Sequence, residues 1–210
     1  MPMPWERPDI PSAFTLDATT RRLGSCRWVE LRLYEAMGGW VPSVPELDLR
    51  VAVGSACRAH AWHAELWSSA PAEPFDDGVA ALMAAVAEAR GTLERLVGAY
   101  RVVVPRLVAA YTAHANHTSA ASDGPVARAL GLALADEVAA WRDGELLVQS
   151  LVTDADVARR AAEHQARLEA LIAPSGGLAG VQTLRPRAAA RTGPGQPPAN
   201  SAHTAAEERR

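Results

Sequence analysis

From about Leu16 onward, apolar residues recur at alternating spacings of three and four, the signature of helices that bury one stripe. The first predicted helix covers about 16–37 and stops at Gly38-Gly39. After the linker Trp40-Val41-Pro42-Ser43, the stretch Ser43-Val44-Pro45-Glu46 has the form of a capping box and opens a second helix to about Ser69. Pro71 and Pro74 break the chain. Asp76 or Asp77 caps a third helix that runs to about His117, kinked at Pro105. Asn116 to Asp123 reads as a polar loop, with Ser122 or Asp123 capping a fourth helix to about Leu151. Thr153-Asp154-Ala155-Asp156 resembles another cap, before a fifth helix to about Ile172. Short first-to-second and third-to-fourth connections predict an all-α, antiparallel four-helix bundle with an additional C-terminal helix. Residues 1–15 read as an irregular arm and 16–173 as the bundle. The Pro-, Gly-, Ala- and Arg-rich stretch 174–210 reads as a disordered tail.

The stripes carry the candidate chemistry. The first reads Leu23, Cys26, Glu30, Leu33, Met37, and the second Leu49, Val53, Ala56, His60, His63, Trp67. The third includes Leu93, Leu96, Tyr100, Val103, Leu107, and the fourth Leu130, Ala133, Glu137, Ala140, Gly144, Leu147. Glu30, His60, His63 and Glu137 stand where apolar residues are expected, and a buried carboxylate normally has a partner. His60 and His63 lie one turn apart, so both imidazoles can reach one ion. The quartet is therefore a candidate site for a single Fe, Mn or Zn ion. A hydrogen-bonded layer that fixes helix register would use the same residues without metal, with Arg27 and Arg58 as further partners.

Two counts oppose convergence. On the fourth helix, Leu130, Leu134, Val138, Trp141 and Val148 form a competing face that would turn Glu137 to the flank. A hairpin pivoting midway between residues 38 and 45 puts Glu30 opposite Val53, on the order of 10 Å from His60. The same pivot sets Cys26 opposite Cys57. Tyr34, Tyr100 and Gly144 are the candidate lining of a small-molecule pocket. Gly144 either admits close helix approach or leaves space for a ligand. Trp62 and Trp67 read as packing residues, and Glu65 as a solvated charge.

The run Trp28-Val29-Glu30-Leu31-Arg32-Leu33-Tyr34-Glu35, followed by His60-Ala61-Trp62-His63-Ala64-Glu65-Leu66-Trp67, resembles half of a ferritin-like ligand set. The resemblance is to the ferritin-like superfamily, in its actinobacterial form, over roughly residues 16–151. It implies a bundle with Glu on the first helix, Glu-x-x-His on the second, Glu on the third and Glu-x-x-His on the fourth. Glu30 matches the first ligand and His63 the second-helix His, with His60 where that motif has Glu. Tyr100 and Val103 occupy the expected level on the third helix, and Ala140 stands where the fourth-helix His belongs. The ligand set is thus degenerate. It implies one metal or none, rather than a di-iron oxygenase or ferroxidase.

Composition sharpens the class. Alanine occurs 44 times in 210 residues and isoleucine only at Ile10 and Ile172, which favours helices over strands. Two cysteines cannot form a disulfide scaffold. All 21 basic residues are arginine, read as the codon bias of a GC-rich genome. Against 24 acidic residues the net charge is −3, a poor footprint for nucleic-acid binding. The proline-containing N-terminus has no apolar signal core, and no apolar run spans a bilayer, so a cytoplasmic protein without a membrane partner is expected. No phosphate loop, Cys-x-x-Cys or nucleophile elbow is present, which excludes kinases, Rossmann enzymes, zinc ribbons and α/β-hydrolases. Two classes of function remain. One is a bundle with a non-redox structural, partner-binding (including homodimeric) or small-ligand-binding role. The other is an oxidoreductase or oxygenase using one metal at Glu30, His60, His63 and Glu137.

Overall fold

The computed structural model describes residues 14–118 and 120–180, and no strand occurs among them. Helix α1 spans Leu16–Trp40, capped by Thr15, whose hydroxyl accepts from the Ala18 N–H. It runs through Gly38-Gly39 instead of stopping there. Burial of Met37 and Trp40 outweighs a glycine cost of about 1 kcal/mol each. A 3₁₀ turn, Val41–Ser43, leads into α2, Leu47–Leu66. The expected capping box does not form. Ser43 donates instead to the Trp40 carbonyl, at 2.9 Å, and accepts from Arg95 at 2.7 Å, while Glu46 stands at the cap position.

The expected long third helix is divided. Helix α3, Asp77–Ala87, is capped by Asp76, and α4 covers Thr92–Leu96. A π-helical segment, Val97–Val103, follows, and then α5, Val104–Ala115. Pro105 sits in the first turn of α5, where its missing N–H costs least, so the expected kink appears as a widened turn before it. Helix α6, Ala120–Leu151, departs from helical geometry at Asp123, two residues before Pro125. Helix α7, Ala155–Ile172, is capped by Asp154.

Helices α1 and α2 pair as one hairpin, and α5 and α6 as another. Helix α2 touches α6, while α3 and α7 pack on each other and α3 on α1. The extension of α1 shifts the first hairpin's pivot toward residue 45, and Glu30 faces His60 rather than Val53. Cys57 accordingly reaches the Tyr34 carbonyl, at 3.3 Å, and lies beside Gly38 rather than opposite Cys26; both thiols are free. On α6 the stripe containing Glu137 is the buried one from Leu130 through Gly144, beyond which Val148 of the competing face is buried in its place. Val138 and Trp141, of the competing face, are 47% and 41% exposed.

The proposed pocket does not assemble. The Tyr100 ring fills the space in front of Gly144, where a Cβ would fall on that ring, and Tyr34 is 44% exposed on α1. Gly144 therefore serves close helix approach. The first residues of the expected tail are folded. Gly176, Gly177 and Gly180, all at positive φ, turn the chain back, and Leu178 and Ala179 are buried. Ser25 donates to the Leu178 carbonyl at 2.7 Å and Arg22 to that of Ala179 at 2.8 Å. The rest of the expected tail, 181–210, and of the expected arm, 1–13, lies outside the described residues. No helix among the described residues is long and apolar enough to cross a membrane.

Candidate metal centre

Helix α1 supplies Glu30, α2 supplies His60 and His63, and α6 supplies Glu137. All four are buried, and one donor atom from each lies within 4.8 Å of the others. The His60 Nδ1 stands 2.6 Å from Glu30 Oε2 and 3.3 Å from Glu137 Oε1. The His63 Nδ1 stands 2.9 Å from Glu137 Oε1 and 3.5 Å from Glu30 Oε1. Two nitrogens and two carboxylates thus point at one another across three helices. Donors bound to one ion at about 2.1 Å would stand on the order of 3–4 Å apart, so small rotations suffice to gather them.

A second layer orients the donors. Tyr111 on α5 donates to Glu30 Oε1 at 2.6 Å, and the Trp67 indole donates to the Tyr111 oxygen at 3.1 Å. The outer nitrogen of His63, Nε2, lies 3.3 Å from Asp136 Oδ2, whose side chain is 54% exposed. A carboxylate on the outer imidazole nitrogen fixes the tautomer that presents the inner nitrogen to a metal. His60 Nε2 and Glu137 Oε2 have no hydrogen-bond partner among the described residues. The vacant Glu137 oxygen is bonding capacity that an ion at the quartet would use, whereas His60 Nε2 lies across the ring from the Nδ1 that faces the carboxylates and would not be served by it.

Electrostatics explain how the metal-free core tolerates these groups. Burial alone would pull both histidines down, but Glu30 and Glu137 outweigh it and raise each to about 10. Burial would push Glu30 up, and the charges and hydrogen bonds of His60 and His63 carry it well below its ordinary value. Two imidazolium groups then balance two carboxylates. A divalent cation bound by the same carboxylates and two neutral imidazoles has the same total charge. Exchange of two protons for one divalent ion therefore leaves the buried charge unchanged. Cys26, one turn before Glu30, is pushed up to about 12 by burial and by Glu30, so it remains a thiol outside the donor set.

The signs give a pH prediction for the metal-free protein. The histidines titrate near 6.5 when unfolded and near 10 when folded. Their stabilisation is complete below pH 6.5 and is lost as pH rises toward 10. That of Glu30 is complete above its ordinary 4.5 and is lost only at strongly acid pH. Urea unfolding of chelator-treated protein between pH 6 and 10 should show a steady loss of stability, and a flat profile would contradict the charge pairing.

The structure brings together all four predicted donors. Tyr34, Tyr100 and Gly144 are not among them. Tyr111, not Tyr100 or Val103, occupies the level on the third side; the stripe keeps its face, with Leu96, Tyr100, Val103 and Leu107 all buried, and only the axial level differs from the expected one. Extending the third stripe from Leu107 by four residues would have reached Tyr111. Asp136 has no sequence signal of its own, being an exposed acid beside a buried one. Trp67 packs as expected but also donates a hydrogen bond.

No protein-family model, curated protein or solved structure matches this chain. The centre is read from its own donors.

Proposed function

We propose that this chain is a ferritin-like helical-bundle protein that holds one divalent transition-metal ion on Glu30, His60, His63 and Glu137. The carrying observation is the convergence of these four donors within 4.8 Å in a buried core, with Asp136 and Tyr111 orienting them. Iron, manganese and zinc all accept this nitrogen–oxygen set. The reading takes the architecture as a four-helix bundle built on α1, α2, the π-helical segment with α5, and α6, with α7 added, and the location as cytoplasmic. The full burial of the ligands favours a non-redox role in which the ion ties three helices together.

Titration of metal-free protein with zinc or manganese tests this. One saturable site per chain is expected. Asp136→Asn should weaken it about 10–100-fold while leaving the fold intact, because Asp136 is exposed and acts only through His63. Absence of saturable binding, or unchanged affinity in that variant, contradicts the assigned arrangement.

A second reading, a single-metal oxidoreductase, is favoured by the mixed donor set. Two nitrogens and two carboxylates suit iron or manganese and leave room for a further ligand in six-coordination. Oxygen consumption by iron-loaded protein above that of the His60→Leu/His63→Leu variant would favour it over the structural role.

A further inference from the structure

We propose that the cavity between α1, α5 and the Gly176–Gly180 turn binds a small organic anion, a carboxylate or phosphate ester with a short apolar body. The cavity has a volume of about 460 Å³, within the range of roughly 300–1,000 Å³ common for small-molecule sites. Arg22 and Arg106 supply its charge. Ala109, Ala113, Ile172 and Leu178 supply apolar wall, and no acidic residue among the described residues lines it.

Arg22 carries the argument. It is only 7% exposed, yet no carboxylate among the described residues pairs with it. Its Nη1 donates to the Ala179 carbonyl, one guanidinium face lies over the Phe14 ring, and its Nε is buried with no hydrogen-bond partner among the described residues. A buried cation without a counter-ion is costly, and burial lowers this guanidinium below its ordinary value. Arg106 adds a second positive charge at the same cavity. It donates to the Val102 carbonyl, and Glu169 stands 3.9 Å away, at the outer limit of an ion pair. An anionic head would set its charge against both guanidinium groups and neutralise them, since guanidinium groups suit carboxylate and phosphate oxygens. An apolar body would then cover the alanine and isoleucine wall. The cavity is separate from the metal centre. Arg22 and Glu30 are two turns apart on α1, about 12 Å along the axis.

Calorimetric titration of the full chain with octanoate, octyl phosphate and octan-1-ol tests the proposal. At least one of the two anions should bind at one per chain, and the alcohol at least about tenfold more weakly. Arg106→Gln, and Ala109→Glu at the exposed rim, should each weaken the anion by about tenfold or more. Arg22→Met should abolish binding; if that variant fails to fold, the other two still decide. No saturable binding of either anion, equal binding of the alcohol, or undiminished binding in the Arg106 and Ala109 variants overturns the proposal. Metal content is unaffected by any of these outcomes, so this test stands apart from that of the metal centre.

Discussion

Replacing Glu30 by alanine is expected to destabilise the metal-free protein by about 3–5 kcal/mol, the cost of breaking a buried ionic network by removing one partner. Glu30 is fully buried and accepts from both His60 and Tyr111 at 2.6 Å. Its loss leaves two imidazolium groups facing one carboxylate. It also leaves a Tyr111 hydroxyl that accepts from Trp67 but has nowhere to donate. Replacing the whole quartet behaves differently. With Glu30, His60, His63 and Glu137 all changed to leucine, the loss should be smaller, at most about 1–3 kcal/mol, because no charge remains to be desolvated and only the Tyr111 hydroxyl is left without its acceptor. Chemical denaturation of the two variants beside the parent measures both numbers. A loss below about 1 kcal/mol for Glu30→Ala would mean that water reaches the quartet and that its burial is not maintained.

The second large effect is stabilisation by the ion itself. A ligand that binds only the folded state at a thousand times its dissociation constant adds about 4.1 kcal/mol. For a chain of 210 residues, each kcal/mol raises the unfolding midpoint by about 2–4 °C. Saturating zinc or manganese should therefore raise the midpoint of metal-free protein by about 8–16 °C. The His60→Leu/His63→Leu variant lacks both nitrogen donors and should show no rise. A shift that persists in that variant would locate the bound ion elsewhere, for instance at exposed carboxylates.

The donors were legible because each interrupts an apolar stripe. An ionisable residue at a stripe position is conspicuous in a chain with so regular a pattern. Their common level was not legible. It depends on where the first hairpin pivots, and local preference ends α1 at Gly38-Gly39. Burial of Trp40 overrides that preference, lengthens α1 and brings Glu30 opposite His60. Tyr111 was missed for a related reason. A stripe tells which face of a helix is buried, not which of its turns stands level with a turn of another helix, so the stripe through Leu107 does not single out Tyr111 as the partner of Glu30. The segment 174–180 misled through composition, since glycine and proline there mark a folded turn held by Arg22 and Ser25 across more than 150 residues of sequence. Asp136 shows the remaining limit: its role comes from the outer nitrogen of His63, a contact between helices that no periodicity encodes.

The most direct test of the central claim is elemental analysis of purified, untagged protein expressed with iron, manganese and zinc supplied. The buried quartet predicts one transition-metal ion per chain, absent from the His60→Leu/His63→Leu variant. A folded parent protein free of metal, or an ion retained by the double variant, would contradict it.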